Sequence, residues 1–350
     1  MNKLIVTLLV IFILVVTAGS ICYFILKNVD YKYGCDSAHS DKLVIDTDAG
    51  ADDAAAILLI LSAWASNDTS YDVIGITCVY GNTYEENVEQ NVLKTLTVAN
   101  LSHIPVYAGA KKPLMDDYIA ENWFGVDGLG DFNFEDEIIG EVDRSTHAAV
   151  ALVNLAKKYP GELNVLVLGP LTNIAIAVSL DPDFPRNVKR FFIMGGSVSS
   201  VGNKSPGVEY NFGSDPDSNF IVLNIVKNIP HLLFPWETCL GSNISKSWRV
   251  NELGSINSSF IEFLNKAENK IISYGLQAWN PSDAMAAAVM LWPNLVKKSI
   301  TVNTTPVIDG AARGSLLIDY AELTSKPKNV EIIQEIDVEE FKHILTYYLS

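Results

Sequence analysis

Short, almost wholly apolar runs alternate with longer helical patterns over most of this 350-residue chain. A strand that is apolar on both faces needs other elements to cover both faces, which is the situation in parallel sheets. The alternation with helices therefore predicts an α/β fold, an open, mostly parallel sheet with helices on both faces and one continuous core. The strand-like runs are LVI (43–45), YDVIGITCVYGN (71–82), PVYAGA (105–110), LNVLVLGP (163–170) and VKRFFIMGGS (188–197).

Two segments depart from this alternation. Residues 110–145 are rich in Gly, Asp and aromatic residues, and we expect a long irregular connection there. Residues 299–320, with Asp309 and Gly310 near their centre, resemble a β-hairpin. No composition shift after residue 42 indicates a second domain.

The N-terminal residues have a different composition from the rest of the chain. Residues 4–26 carry no charge, and as a helix they would span roughly 35 Å, enough to cross a bilayer. We therefore predict an N-terminal hydrophobic helix in residues 1–27, either a retained signal-anchor or a cleaved signal peptide. Residues 28–41 would be a polar tether and residues 42–350 the catalytic domain. This organisation predicts that the protein enters the secretory pathway. It would then be either anchored in a membrane, with its catalytic domain extracellular or lumenal, or secreted.

Net charge and cysteine usage exclude some classes of partner and site. The formal net charge of −16 repels phosphate groups, so we expect no nucleic-acid partner. The four cysteines show no CxxC or other metal-ligand spacing. Cys78 and Cys239 lie in or beside apolar runs, and we expect both to be buried thiols.

Four carboxylates lie within eight residues at the end of the first predicted strand: Asp46, Asp48, Asp52 and Asp53. Open α/β sheets bind ligands at the carboxyl ends of their strands. Carboxylates at this density repel one another, and a divalent cation such as Ca²⁺ or Mg²⁺ would offset that repulsion. The alternative interpretation is that one carboxylate caps the following helix and the others are solvated loop charges.

The pattern Asp-Thr-Asp-X-Gly-X-Asp-Asp, between a strand and a helix, resembles the signature of the inosine-uridine preferring nucleoside hydrolases. That family usually has Pro where this chain has Ala49. The resemblance covers roughly residues 42–325 and implies the nucleoside hydrolase fold. The other segments that agree in order and spacing are VYGN (79–82), DGLGD (127–131), LGPLTNIA (168–175), IMGG (193–196), NKSPGVEYNFGSDP (203–216) and PSDAMAAAV (281–289).

The resemblance implies calcium-dependent hydrolysis of the N-glycosidic bond of a small-molecule ribonucleoside to ribose and free base. Asp48 would be the general base toward the attacking water. The implied Ca²⁺ ligands are Asp48, Asp53, the carbonyl oxygen of Leu168, and Asp283. The residues implied at the sugar site are Asp52, Asn82, Met194, Asn203, Glu209 and Asn211. Without the resemblance, a helix cap would explain Asp283 and a solvated loop charge would explain Glu209.

Two histidines that help the base to leave in many family members are missing here. Ser282 stands directly before Asp283, and Phe124 stands in the loop WFGVDGLG. A hydroxyl group cannot replace imidazole as a proton donor near neutral pH. Because purines can be protonated from solvent at N7, we predict a purine preference, with Trp123, Phe124 or Trp279 stacking on the base.

A different class of function is also consistent with the missing histidines. The chain would then be a non-catalytic surface protein that binds a nucleoside or ribose and has lost leaving-group activation. The presence of Asp48, Asp53 and Asp283 together favours the enzyme, because a degenerate site need not keep all three. Since the family is commonly dimeric or tetrameric, the resemblance also implies a homodimer or homotetramer.

Overall fold

The computed structural model describes residues 41–225 and 229–350. The strands in these residues are β1 (Asp41–Thr47), β2 (Tyr71–Cys78), β3 (Val106–Tyr107), β4 (Val142–Asp143), β5 (Leu163–Val167), β6 (Val188–Met194), β7 (His231–Phe234), β8 (Val296–Val302), β9 (Thr304–Pro306), β10 (Leu316–Ile318) and β11 (Val330–Ile336). Nine of them form one sheet in the order β4-β3-β2-β1-β5-β6-β7-β11-β8. Neighbours in this sheet are parallel, except that β11 and β8 are antiparallel.

Helices follow most of the parallel strands. The α-helices in the described ranges are α1 (Ala51–Ala65), α2 (Glu85–Val98), α3 (Ala148–Lys158), α4 (Thr172–Leu180), α5 (Phe184–Asn187), α6 (Tyr210–Ser214), α7 (Pro216–Leu223), α8 (Trp236–Ser242), α9 (Lys246–Asn251), α10 (Ser259–Ala267), α11 (Asn269–Ser273), α12 (Ser282–Leu291) and α13 (Val338–Tyr348). Short 3₁₀ helices lie at Leu253–Ser255, Pro293–Leu295 and Gly310–Ala312. The loops that leave the carboxyl ends of β1, β2, β5 and β6 lie along one edge of the sheet.

The sheet separates two apolar cores. Leu43 and Ile45 of β1 belong to the core on one face, whereas Val44 between them belongs to the core on the other. Because successive side chains of a strand point to opposite faces, both faces of β1 must be covered. Residues of α1, α2, α12 and α13 fill the first core, and residues of α3, α4 and α7 fill the second. The predicted mostly parallel sheet with helices on both faces is therefore confirmed.

Helix α1 is buried on nearly all sides. Its sequence, ADDAAAILLILSAWA, is rich in Ala and Leu, which favour the helix. A helix that is apolar all round belongs inside a domain, and α1 packs against α12. Asp52 and Asp53 lie in the first turn of α1, and Asp283 lies in the first turn of α12. The packing of these two helices therefore brings together acids that are far apart in the sequence.

The irregular segments differ partly from expectation. No helix or strand lies between β3 and β4, which confirms the long irregular connection. The predicted hairpin at residues 299–320 is only partly correct: β9 and β10 form an antiparallel pair, but β8 joins the main sheet beside β11. Strand β8, of sequence VKKSITV, contains two lysines, and most of its residues are exposed or half-buried, as is typical of a strand at a sheet edge.

The predicted N-terminal helix, residues 1–27, lies outside the described residues, as does nearly all of the predicted tether, residues 28–41. Asp41, assigned to the tether, is the first residue of β1. Among the helices of residues 41–225 and 229–350, none combines the length and the apolar character needed to cross a membrane.

Gly109 is a position where the packing of this sheet tolerates no side chain. Its N–H donates to Glu85 Oε1 at 3.0 Å, and a Cβ here would lie 2.0 Å from the carbonyl oxygen of Cys78. We expect Gly109→Ala to lower the free energy of unfolding by about 3 kcal/mol, because the backbone must move to relieve the overlap.

Gly241→Ala is the matched control, since no atom lies within 4 Å of a Cβ at that position. Gly241 lies in α8, where Ala is preferred to Gly. Urea unfolding of both variants measures the difference, and equal stabilities would contradict the packing described here.

Candidate active site

The connection between β1 and α1 is a tight turn built around Asp53. Asp53 is fully buried. Its Oδ1 accepts the hydroxyl of Thr47 at 2.5 Å, and its Oδ2 accepts the N–H of Gly50 at 2.9 Å and Nδ2 of Asn82 at 3.1 Å. A Cβ on Gly50 would lie 2.4 Å from Asn82 Nδ2, so the turn requires glycine. These contacts fix both carboxylate oxygens of Asp53.

Asp48 lies just after β1 and contacts the loop that follows β2. Its Oδ2 accepts the N–H of Asn82 at 2.7 Å. A Cβ on Gly81 would lie 2.0 Å from the same oxygen, so the loop can approach Asp48 only with glycine there. The hydroxyls of Tyr118 and Tyr210 each donate to the carbonyl oxygen of Gly81 at 2.6 Å. Both tyrosines thus hold this loop against Asp48.

Asp283 completes an acidic cluster from the far end of the chain. Carboxylate oxygens of Asp52, Asp53 and Asp283 lie within 4.8 Å of one another. Within the part of the chain that the structure describes, no Lys, Arg or His forms an ion pair with these three residues or with Asp48. Burial and the neighbouring carboxylates raise the pKa of Asp48 and of Asp283 well above the usual range. Burial, with the charge of Asp53, raises the pKa of Asp52 to about 8.

The donor set fits a divalent cation. Hard cations take oxygen ligands, and a cation would supply the positive charge that the surrounding side chains lack. Asp48, Leu168 and Asp283 line the same cavity, and Asp53 is buried behind it, close to Asp283. The carbonyl oxygen of Leu168 accepts Nδ2 of Asn211 at 2.6 Å, which leaves it a second lone pair. The four residues implied as ligands are therefore gathered in one place.

Asp46 does not join this cluster. Its Oδ1 accepts the hydroxyl of Thr77 at 2.5 Å and Nδ2 of Asn173 at 2.8 Å. Burial raises the pKa of Asp46 to about 7, against the opposing effect of these hydrogen bonds. Asp46 thus links β1 to β2 and α4, and the acidic turn contributes two carboxylates, Asp52 and Asp53, to the cluster, with Asp48 beside it.

Glu209 is a buried helix cap, so its interpretation as a solvated loop charge is wrong. It precedes α6 and is 1% exposed. Its Oε1 accepts the N–H of Asn211 at 2.9 Å, and its Oε2 accepts the N–H of Gly196 at 2.8 Å and of Phe212 at 3.1 Å. Asn211 Nδ2 also lies 3.4 Å from Sδ of Met194, which places this methionine at the same wall.

A cavity of about 330 Å³ is lined both by carboxylates of the acidic site and by aromatic rings. The implied sugar-site residues all line it, namely Asp52, Asn82, Met194, Asn203, Glu209 and Asn211. The three predicted stacking residues, Trp123, Phe124 and Trp279, line it as well. The side chain of Trp123 is 50% exposed, whereas Phe124 and Trp279 are buried. Carboxylates, amides and aromatic rings thus line one cavity.

Several residues of this cavity carried no signal that we recognised in the sequence. They are Tyr210, Trp236, Lys246, Glu268, Ile271 and Leu276. Trp236 follows β7 after one residue, so its place near the carboxyl end of a parallel strand could have indicated it. Lys246 begins α9 and Glu268 lies between α10 and α11, and neither belongs to a motif. No histidine is among the described residues that line the cavity, in agreement with Ser282 and Phe124 standing at the two expected positions.

Comparison with known proteins relates this architecture to nucleosidases. The chain is 38% identical over 186 residues to the probable uridine nucleosidase 1 of Oryza sativa subsp. japonica, covering 53% of this chain and about half, 55%, of that relative. It is 27% identical over 309 residues to the pyrimidine-specific ribonucleoside hydrolase RihB of Escherichia coli, covering 86% and 94%. The solved structure of an inosine-guanosine nucleoside hydrolase matches with a TM-score of 0.80 and 28% identity, covering 88% of this chain and 98% of that one.

The predicted localisation is wrong on these findings. The names of these relatives describe nucleosidases and a ribonucleoside hydrolase, with no reference to a membrane or to export. The helices that the structure describes include none able to cross a membrane. A run of 23 uncharged residues meets the length condition for a span, but length alone does not establish insertion.

The match to a family profile extends over most of the domain. The profile of the inosine-uridine preferring nucleoside hydrolases matches residues 43–343, which include the acidic turn, the sugar-site residues and α12. Together with the sheet order and the convergence of the acidic residues on one cavity, this match is decisive. The chain belongs to the inosine-uridine preferring nucleoside hydrolase family.

Proposed function

We propose that this chain hydrolyses the N-glycosidic bond of ribonucleosides, giving ribose and the free base. The observation that carries the proposal is one cavity lined both by Asp48, Asp52 and Asp283 and by aromatic rings. These two kinds of lining match the two halves of a nucleoside, a polyhydroxylated sugar and a flat apolar base. In the reaction the oxygen of water bonds to the anomeric carbon, the carbon–nitrogen bond breaks, and the base takes up a proton.

Asp48 is the proposed general base. Its carboxylate faces the cavity, and the N–H of Asn82 fixes one of its oxygens. The other oxygen is then available to take the proton of the attacking water. The proposed cation is Ca²⁺, which when bound would neutralise the clustered carboxylates and polarise the water. Asp48, Asp53, Asp283 and the carbonyl oxygen of Leu168 would hold it.

The polar residues of the cavity are suited to a ribose that becomes electron-poor in the transition state. Glycosidic cleavage passes through an oxocarbenium-like state, in which hydrogen bonds to the hydroxyls strengthen. Asp52, Asn82 and Asn211 supply acceptors and donors in the cavity, and Asn203 is exposed at the rim. Glu209 holds its two oxygens in place through three backbone N–H groups, which prepares its remaining lone pairs for the sugar.

The cavity favours a purine in our proposal. No histidine among the described lining residues can protonate the base, so the base must leave with a proton taken from solvent. Purines accept such a proton at N7, and pyrimidines leave poorly without an acid. Trp123, Phe124 and Trp279 offer aromatic faces for stacking. The named relatives include enzymes for both classes of base, so base preference rests on the cavity.

The role of Asp48 is tested by Asp48→Asn. The amide cannot accept the proton of water, so kcat should fall by about 10³-fold or more, while competition by free ribose should largely survive. Asp309→Asn is the matched control, because Asp309 is exposed and does not line the cavity. If the unsubstituted protein binds ribose but hydrolyses no nucleoside, the non-catalytic binding protein is the correct interpretation.

Base preference is tested by comparing kcat/KM for inosine, guanosine and uridine. Because general acid catalysis is worth 10²–10⁴-fold and is missing here, we expect the two purine nucleosides to be cleaved about 100-fold more efficiently than uridine. A uridine turnover equal to that of inosine would show that another group protonates the base, and the purine preference would be abandoned.

The cation is tested by thermal unfolding of chelator-treated protein titrated with CaCl₂ or MgCl₂. A ligand that binds only the folded state stabilises it, by about 2.7 kcal/mol at 100 times its Kd. Calcium should therefore raise Tm of the parent by several degrees, and Asp283→Asn should largely remove this increase. In chelator, Asp283→Asn should be more stable than the parent, because one of several mutually repelling carboxylates is gone. An unchanged calcium response in Asp283→Asn would contradict the assignment.

A further inference from the structure

The wall of the cavity contains an ion pair that is completely withdrawn from solvent. Arg249 Nε lies 2.6 Å from Oε2 of Glu268, and the two side chains are 0% and 1% exposed. Arg249 Nη1 also donates to Oδ1 of Asn265 at 2.8 Å. Arg249 lies in α9, and Glu268 lies between α10 and α11. Glu268 reaches the cavity, whereas Arg249 lies behind it.

This ion pair is joined to the indole of Trp279. Trp279 Nε1 donates to Oε1 of Glu268 at 2.9 Å, and the guanidinium of Arg249 lies 5.6 Å from the centre of the Trp279 ring. The ring of Trp248 lies 6.1 Å from that of Trp279, at a tilt of 37°. A hydrogen bond, a cation–π contact and a ring contact therefore fix both the position and the plane of this indole.

A buried ion pair contributes little net stability to a domain, so its presence calls for another explanation. The free energy lost when two charges leave water is about as large as the free energy gained from their attraction. Well-packed apolar residues therefore often stabilise a core equally well. The Arg249–Glu268 pair is almost fully buried, and its described neighbours include Asn265 and the indole of Trp279. The charge of Arg249 holds the carboxylate of Glu268 through Oε2, and the other oxygen, Oε1, accepts the indole N–H of Trp279.

We propose that Arg249 and Glu268 are positioning residues that hold the Trp279 indole as a rigid wall for the nucleobase. The inference rests on the proposed nucleoside substrate and adds residues that act on its base but not on its sugar. Arg249 holds the carboxylate of Glu268, and Glu268 holds the indole N–H. A pre-oriented ring binds the flat base without first losing rotational freedom, which lowers the cost of binding.

The test is a double-mutant cycle in the full chain. Glu268→Gln removes the charge that holds Arg249, and Trp279→Phe keeps an aromatic face but removes the N–H. Each single change should raise KM for inosine by about tenfold with kcat nearly unchanged, because it releases the base wall and not the reacting end. The double variant should be no worse than Glu268→Gln alone, since residues that act through one another are not additive.

Two further variants and one further ligand keep the result interpretable. Arg249→Met combined with Glu268→Gln removes both charges, so it should fold normally and still show the raised KM. Glu262→Gln is the surface control, because Glu262 is exposed and pairs only with Lys266. The inhibition constant of free ribose should stay within about twofold of the parent in all variants, since ribose does not reach the base wall.

Each outcome decides the inference. Additive effects of Glu268→Gln and Trp279→Phe would show that Glu268 does not act through Trp279, and a parallel loss of ribose affinity would show a general structural role. Either result overturns the positioning role while leaving the hydrolase intact. If the parent cleaves no nucleoside, the proposed function fails; calorimetric binding of inosine and ribose to the same variants then tests the base wall, and a parent that binds no inosine overturns it as well.

Discussion

Asp48, Asp53 and Asp283 place buried negative charges side by side, and like charges in such a setting disfavour the ionised form of each. The fold imposes this arrangement, because α1 and α12 pack against each other and begin at the same edge of the sheet. Within the described residues, no Lys, Arg or His forms an ion pair with these three carboxylates. The hydrogen bonds from Thr47, Gly50 and Asn82 orient the carboxylate oxygens without neutralising them. A divalent cation is the group that reconciles the burial of these charges with a stable domain.

The other features of the cavity follow from its acidic residues. Tyr118 and Tyr210 hold the loop of Gly81 and Asn82 against Asp48, so the long irregular connection is tied to the site. Glu209 caps a short helix while reaching the same cavity, which combines a local structural role with a place in the proposed sugar site. The indole of Trp279 is held differently, by the ion pair of Arg249 and Glu268.

Much of the fold could be predicted from sequence because it is set by local patterns. The apolar run of β1 and the Ala- and Leu-rich α1 specify a strand and a helix that need cover on all sides. The approach of Asp283 to Asp53 had no local signal, since 230 residues separate them in the chain, and only the family resemblance indicated it. The role of Asp46 was not separable from that of its neighbours, because its partners Thr77 and Asn173 are distant in sequence. Arg249 and Glu268 were missed for another reason, since neither belongs to a motif, although their partners lie nearby in the chain.

We propose that a divalent cation binds among Asp48, Asp53 and Asp283, and an anomalous difference map from crystals of the protein grown with calcium tests this most directly. We expect one strong peak with oxygen atoms of these three residues and of Leu168 at about 2.3–2.6 Å, the range of calcium–oxygen bonds. A map without an anomalous peak, in which these carboxylates are separated by ordinary water molecules, would contradict it.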